Sequence, residues 1–149
     1  MKYQIPMMFA LLALAACGDH GEADCSDPDV ECDPGGTTHY SANNQTSYDL
    51  TMKLVLVAQL GSGTTSIPIP ANQEVPVFED HMIGVNPKPT DTFVSMQILV
   101  TPAGGGDPDV AYAQDPIRDD AWAGGRVDVG DYGLSEYVFT VSETDLALP

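Results

Sequence analysis

The stretch that decides the fold is SYDLTMKLVLVAQL, residues 47–60, in which apolar side chains recur at every second position. Every even-numbered residue from Tyr48 to Leu60 is apolar or aromatic, whereas Asp49 and Lys53 stand among the odd-numbered ones. A period of two is typical of a β-strand that lays one face on a hydrophobic core. The stretch therefore predicts a long strand whose even-numbered side chains are buried.

Further strands are predicted on both sides of this one. Residues 92–101 and 135–142 also alternate between two faces, and four weaker strands fill the gaps. The weaker strands are residues 38–42, 66–69, 74–79 and 110–114. Pro68, Pro70 and Pro76 lie in or beside two of the weaker segments, and proline cannot donate a hydrogen bond to a neighbouring strand. We therefore expect those two segments at the edges of sheets.

The number and spacing of the strands predict the fold class. About seven short strands separated by turn-forming residues are typical of an all-β protein, and residues 37–149 are predicted to form an antiparallel, immunoglobulin-like β-sandwich. One segment, DPIRDDAW at residues 115–122, interrupts the pattern. Asp115 can cap a helical turn and Pro116 can begin one, so we expect a short helical turn that returns Trp122 to the sandwich.

The charge of the chain restricts its partners. The 149 residues include 22 aspartates and glutamates but only five lysines and arginines, for a net charge of −17. Such a surface repels the phosphates of nucleic acids, so we expect no nucleic-acid partner. It equally disfavours electrostatic adhesion to anionic lipid headgroups.

An acidic segment precedes the predicted domain. Residues 18–36 read GDHGEADCSDPDVECDPGG and contain seven acidic residues with no lysine or arginine. A segment so charged and so poor in apolar residues is predicted to be a flexible tether. The acidic residues at alternate positions from Asp27 to Asp33 leave a calcium loop as an alternative, although Cys32 stands where such a loop carries glycine.

Two cysteines lie within this acidic segment. Cys25 and Cys32 are expected to form a disulfide if the protein is exported to an oxidising compartment. The alternative is a pair of metal ligands, but two thiols at this spacing match no standard zinc pattern. We therefore predict no metal site here.

The amino-terminal residues have the features of a targeting signal. Lys2 is followed by a mostly apolar run from Ile5 to Ala16, which is shorter than the roughly 20 residues that cross a bilayer. A basic start, a short apolar segment and small residues at the end are typical of a secretory signal peptide. Pro6 disfavours the alternative of a buried core helix. Residues 1–16 are therefore predicted to be a cleaved signal peptide.

The end of this run, Leu14-Ala15-Ala16-Cys17, resembles the lipobox of bacterial lipoproteins. The resemblance implies a thioether-linked diacylglycerol on Cys17, cleavage before this residue and acylation (for example by palmitate) of the new amino terminus. Residues 17–36 would then be a lipidated tether that holds the protein to a membrane of the bacterial cell envelope. Gly18, rather than aspartate, follows the cysteine, and by the enterobacterial sorting rule this implies the outer membrane.

Aromatic residues in the last third of the chain are candidates for a binding surface. Tyr112, Trp122, Tyr132 and Tyr137 would contact a glycan or an envelope protein if they formed an exposed patch. The alternative is that they fill the core, because aromatic side chains usually supply buried area.

Residues with the potential for chemistry are few. Among the histidines, His39 lies in a predicted strand, and His81 follows Glu79 and Asp80 in a group that could hold a cation or orient the imidazole. No nucleophile elbow or phosphate-binding loop is present, so we expect neither catalytic residues nor a cofactor. The sequence predicts an anchored domain for binding or structural support. The alternative is an anchored enzyme or calcium-binding module that uses the acidic loops.

Overall fold

The structure is a computed structural model, and it describes residues 35–102, 105–127 and 133–147. These residues include eight strands and one short α-helix, α1, at Pro89–Thr92. The strands are β1 (Gly35–Asn44), β2 (Leu50–Leu56), β3 (Thr64–Ile69), β4 (Glu74–Ile83), β5 (Phe93–Val100), β6 (Asp109–Gln114), β7 (Ala123–Arg126) and β8 (Leu134–Val141). Across the described ranges, we find no helix with the length and apolarity needed to cross a membrane.

The strands form two four-stranded sheets, which confirms the prediction of an all-β sandwich. Sheet A has the order β4-β1-β8-β7, and sheet B has the order β3-β2-β5-β6. All paired neighbours run antiparallel except β1 and β8, which are parallel. The first and last strands therefore lie side by side in the middle of sheet A.

The alternation predicted for residues 47–60 is seen in β2. Leu50, Met52 and Leu54 are buried, and Lys53 between them is exposed. The strand ends at Leu56, earlier than predicted, because the chain then turns back on itself. In that turn the Leu60 N–H donates to the Val57 carbonyl at 3.0 Å.

The prolines mark the sheet edges, as predicted. Pro68 lies in β3, at the edge of sheet B, and Pro76 lies in β4, at the edge of sheet A. Pro70 follows the last residue of β3. Edge strands β3 and β4 thus each have a position that cannot donate a hydrogen bond to another chain.

The helical turn predicted in residues 115–122 begins later than expected. A single 3₁₀ turn spans Asp119–Ala121, and the Asp115–Pro116 peptide bond is cis. The N–H of Ile117 donates to the Val94 carbonyl of β5 at 3.1 Å, which attaches this part of the segment to sheet B. Trp122 does return to the sandwich, as predicted.

Strand β7 is an element that the sequence did not predict. Its four residues, AGGR, carry no alternation of large apolar side chains. Gly124 has a φ of +135°, and a Cβ on this residue would overlap the carbonyl oxygen of Glu136 on β8. Close approach of the two backbones, rather than side-chain packing, accounts for glycine at this position of the strand.

Aromatic rings fill the space between the sheets. Trp122 stacks on Phe93 with ring centroids 5.8 Å apart, and its other neighbours include Phe139 at 5.4 Å and Tyr40 at 5.8 Å. Only 4% of the Trp122 surface is exposed. This burial corrects the assignment of Trp122 to an exposed patch and favours the core alternative for this residue.

Several predictions fall on parts of the chain that the structure does not describe. The signal peptide at residues 1–16 and the cysteines Cys17, Cys25 and Cys32 lie outside the described residues, and so does Tyr132. Strand β1 begins at Gly35, two residues before the expected start of the domain.

Candidate functional site

The candidate site lies on the outer face of sheet A, and the alternation of β1 creates it. Thr38 and Tyr40 point into the core and are fully buried. Thr37, His39 and Ser41 alternate with them and therefore lie on the opposite, outward face.

Strand pairing places acidic residues on both sides of His39. In the antiparallel pair with β4, His39 is opposite Glu79, and in the parallel pair with β8 it is opposite Glu136. His81, two residues beyond Glu79, lies on the same face and is opposite Thr37. The arrangement is an imidazole between two carboxylates, with a second imidazole beside one of them.

Glu79 is the centre of the hydrogen bonding on this face. Its Oε2 lies 3.3 Å from Nε2 of His39, and its Oε1 lies 3.0 Å from Nε2 of His81. Nδ1 of His81 lies 2.9 Å from the Thr37 hydroxyl. If His81 is neutral and donates from Nε2 to the carboxylate, its Nδ1 accepts from Thr37, so these two contacts fix one tautomer.

Glu79, Asp80 and His81 are consecutive residues of β4, so their side chains point alternately to the two faces of the sheet. Glu79 and His81 point outward, whereas Asp80 is buried and accepts a hydrogen bond of 2.7 Å from the Thr92 hydroxyl. Glu79 therefore orients the His81 imidazole, as one of the two sequence interpretations proposed. In the described ranges, no three histidine, cysteine, aspartate or glutamate side chains are placed to hold a metal ion.

The outer face contains a groove of about 580 Å³. Its polar residues come from β1, β4 and β8, and Pro76, Val77 and Val138 add apolar surface. The lining residues are His39, Ser41, Glu74, Pro76, Val77, Phe78, Glu79, Glu136, Tyr137 and Val138. This volume is within the range of small-molecule sites, which is about 300–1,000 Å³.

The chemistry of the groove favours binding of polar groups. Glu74, Glu79 and Glu136 supply acceptors, His39 supplies a donor, and no lysine or arginine lines the groove among the described residues. Ser41 shares the groove with His39, but within the described part of the chain no hydrogen bond links the serine hydroxyl to this imidazole. An activated serine requires such a bond, so the groove lacks an assembled nucleophile.

A buried polar network lies beneath this face. The Tyr40 hydroxyl is 2.8 Å from the Thr92 hydroxyl and donates to the Pro87 carbonyl at 3.1 Å, and Thr92 donates to Asp80. Burial raises the pKa of the Tyr40 phenol. The network joins β1 and β4 to the connection before β5, so it supports the strands that carry His39 and Glu79.

The three described residues of the predicted aromatic patch, Tyr112, Trp122 and Tyr137, are all buried or half-buried. Tyr112 is half-buried against Phe139, with ring centroids 5.5 Å apart, and its hydroxyl accepts from Nε2 of Gln114 at 2.8 Å. Tyr137 is half-buried, stacks on Tyr40 at 5.9 Å and lines the groove, and burial raises the pKa of its phenol. Of the described residues in the predicted aromatic patch, Tyr137 alone lines the groove of the candidate site.

Glu136 is the residue that sequence reasoning missed. Its neighbours in the chain gave no reason to separate it from the other acidic residues. It lies opposite His39 only because β1 and β8, which are far apart in the chain, pair in parallel. The alternation of β8 could have placed it on the outer face, but not beside His39.

No protein-family model matches this chain, and comparisons with curated proteins and with solved structures found no similar protein.

Proposed function

We propose that this protein is a lipid-anchored protein of the bacterial cell envelope whose sandwich domain binds a polar ligand or partner on the outer face of sheet A. The observation that carries the proposal is the order of segments along the chain. A short apolar run ends in the lipobox-like Leu14-Ala15-Ala16-Cys17, an acidic segment follows, and the sandwich begins at Gly35.

The proposed anchor is sufficient by itself to hold the domain at a membrane. Two or three acyl chains on Cys17 bury many methylene groups, and each contributes about 0.8 kcal/mol. A single acyl chain binds reversibly, whereas two hold stably. The sandwich domain therefore needs no membrane-crossing element to remain in the envelope.

The acidic segment sets the reach of the domain. Residues 18–34 would span roughly 25 Å as a flexible coil and up to about 60 Å when fully extended. Like charges along the segment favour the longer distances. The domain would therefore work within a short distance of the bilayer surface.

The binding role rests on the groove in sheet A. It is concave, it is of the size of a ligand site, and it carries the imidazole of His39 beside acceptor carboxylates. Sugar hydroxyls and the amino groups of peptides are the groups that such side chains bind. We propose an envelope glycan or protein segment as the ligand and no enzymatic step.

The anchor is tested by intact-mass analysis and fractionation. Protein purified from envelopes should carry the mass of a diacylglycerol and an acyl group on a chain that starts at Cys17. The Cys17→Ser variant should leave the membrane fraction and appear in the soluble one. An unmodified amino terminus, or membrane fractionation of Cys17→Ser, would overturn the anchoring proposal.

The binding role is tested with two variants in the groove and one outside it. His39→Ala and Glu136→Gln should each weaken retention on an array of envelope glycans and peptides by about tenfold, which corresponds to loss of about one charge-assisted hydrogen bond. Lys53→Gln, on the outer face of sheet B, is the matched control and should bind as the unmodified protein does. Equal binding by all three variants would exclude the groove as the site.

A further inference from the structure

A second cavity borders β4, the edge strand of sheet A. Its volume is about 470 Å³, which is within the range of small-molecule sites. The turn after β2 forms one wall, the last part of β4 forms another, and α1 forms a third. This cavity is called the edge pocket below, and the lining residues that matter for its chemistry are Val57, Leu60, Asp80, Met82, Thr90 and Asp91.

Hydrogen bonds hold the three walls of the edge pocket together. The N–H of Val57 donates to the Thr92 carbonyl at 3.0 Å, which joins the turn after β2 to the last residue of α1. The Thr92 hydroxyl donates to Asp80, which joins α1 to β4. The N–H and the hydroxyl of Thr90 donate to the two oxygens of Asp119, at 2.9 and 3.1 Å. Contacts within the chain therefore fix the shape of the pocket, as in a preformed binding site.

Asp80 is the buried acid of the edge pocket. Only 3% of it is exposed, yet the Thr92 hydroxyl is its single hydrogen-bond donor among the described residues, and this donor bonds to Oδ2. Of the side-chain nitrogen and oxygen atoms in the described ranges, Nε1 of Trp122 alone is both fully enclosed and unpartnered, so Oδ1 of Asp80 is open to the pocket. A buried carboxylate costs free energy unless donors or a cation satisfy its oxygens.

The surroundings of Asp80 supply more negative charge and no cation. Asp91, an exposed residue of α1, adds a second carboxylate to the lining. In the described part of the chain, neither carboxylate forms an ion pair with a lysine or arginine, although Lys88 is close to Asp91 in the sequence. His81 borders the pocket, but both of its ring nitrogens are engaged on the outer face. Burial and, to a smaller extent, the charges of Asp80 and Asp91 raise the pKa of the Tyr40 phenol, so both carboxylates act on one region.

The rest of the lining selects among cations. Val57, Leu60 and Met82 add apolar surface to the pocket. A metal ion needs more ligands than two carboxylates, and the described residues contain no group of three histidine, cysteine, aspartate or glutamate side chains placed to hold one. An organic cation fits both parts of the lining, because its N–H groups donate to carboxylate oxygens while its carbon chain packs on apolar residues.

We propose that the edge pocket binds a protonated primary amine at the end of an alkyl chain, with the ammonium group donating to Oδ1 of Asp80 and attracted by Asp91. The alkyl chain lies against the apolar residues of the lining. A free alkylamine and the side chain of a lysine present this same group. The site is separate from the groove and needs no lipid anchor, so its failure and that of the proposed function are distinguishable.

The test is an NMR titration of the isotope-labelled full-length protein with butylamine in a neutral detergent. Butan-1-ol, which has a hydroxyl group in place of the ammonium group, is the matched ligand control. We expect the amide signals of Leu60, Met82 and Thr90 to shift, and those of Ser41 and Val138 in the groove to stay unchanged. Butylamine should bind at least about tenfold more tightly than butan-1-ol, the factor for about one charge-assisted hydrogen bond.

Three substitutions of aspartate by asparagine test the two carboxylates. Asp80→Asn should weaken butylamine binding about tenfold, because the neutral amide keeps an acceptor oxygen but loses the charge. Asp91→Asn should weaken it about threefold, since solvent screens an exposed charge. Asp91→Asn keeps the proposal testable if Asp80→Asn does not fold. Asp109→Asn removes the same charge from an exposed position of β6 and should bind butylamine as the unmodified protein does.

The outcomes separate the edge pocket from other sites. An absence of shifts with butylamine, equal affinity for butylamine and butan-1-ol, or unchanged binding by both pocket variants would overturn the proposal. Shifts confined to the groove would overturn it too, because the amine would then bind at the site of the proposed function. A parallel titration with Nα-acetyl-lysine amide distinguishes the sources of the amine. Tighter binding of the lysine amide would assign the pocket to a lysine of a polypeptide, and tighter binding of butylamine to a free amine.

Discussion

Tyr40 shows how one residue supports both the core and the candidate site. Its ring contacts Phe93 at 4.9 Å and stacks on Tyr137, while its hydroxyl bonds to Thr92 and to the Pro87 carbonyl. A buried hydroxyl needs such partners, because an unpaired one costs about 1–3 kcal/mol. The residue therefore couples packing between the sheets to the position of the β4–β5 connection.

The raised pKa of Tyr40 predicts a loss of stability at alkaline pH. An unfolded tyrosine releases its proton near pH 10, whereas folded Tyr40 keeps its proton to higher pH. Above pH 10 the unfolded state therefore binds fewer protons than the folded state, and the free energy of unfolding falls as the pH rises. Urea unfolding from pH 8 to 11 should show this fall, with a smaller slope in Tyr40→Phe. Identical slopes in the two proteins would contradict the buried phenol.

Trp122 provides a second test at the residue scale. Trp122→Ala removes a ring that is enclosed by Phe93, Phe139 and Tyr40, so it should lower the free energy of unfolding by about 3–5 kcal/mol. Val94→Ala, at an exposed position, should change it by less than about 0.5 kcal/mol. Urea denaturation monitored by circular dichroism measures both. Unchanged stability of Trp122→Ala would contradict the assignment of Trp122 to the core.

At the scale of the elements, the sequence predicts strands whose side chains decide their position. The alternation in β2 and the prolines of β3 and β4 placed three strands correctly, because burial and hydrogen-bond donors are properties of single residues. Strand β7 was missed because AGGR has almost no side chain to bury. Strand β7 is held by backbone contact with β8, and such contact leaves no periodic signal in the sequence.

The candidate site was predictable in part for the same reason. The residue types drew attention to Glu79 and His81, and the alternation put both on one face of β4. The contact of Glu79 with His39, and the position of Glu136 beyond it, depend on which strands pair. Pairing between the first and last strands is a property of the whole topology, and no local pattern encodes it.

Gly124 provides a test of whether β7 depends on its close approach to the backbone of β8. Gly124→Ala would place a Cβ against the Glu136 carbonyl at a φ of +135°, so we expect a loss of about 2 kcal/mol or more. Gly63→Ala is the matched control, because its Cβ would meet only a Leu56 methyl carbon at 3.9 Å. Its stability should change by less than about 0.5 kcal/mol. Hydrogen exchange of the β8 amides should accelerate in Gly124→Ala only. Equal stability of the two variants would show that β7 does not need this close approach.

At the scale of the whole molecule, β1 completes the sandwich. It lies between β4 and β8, so without it sheet A would be divided and β4 would have no paired strand. Its partner β8 is about a hundred residues away along the chain, so the sheet closes only when nearly the entire domain has been made. Such long-range pairing is associated with slow folding, because loop closure costs entropy before any contact forms.

The position of β1 predicts where the chain can be shortened. A variant that starts at Gly35 keeps all eight strands of the described residues. It should unfold in urea with the same midpoint as the full chain, since the acidic residues before it have little apolar surface to bury. A variant that starts at Gln45 loses Tyr40 and Ala42 from the core and exposes the edges of β4 and β8. It should show no cooperative transition. A marked loss of stability in the Gly35 variant would mean that residues before β1 contribute to the folded domain, and a cooperative Gln45 variant would mean that sheet A holds together without its central strand.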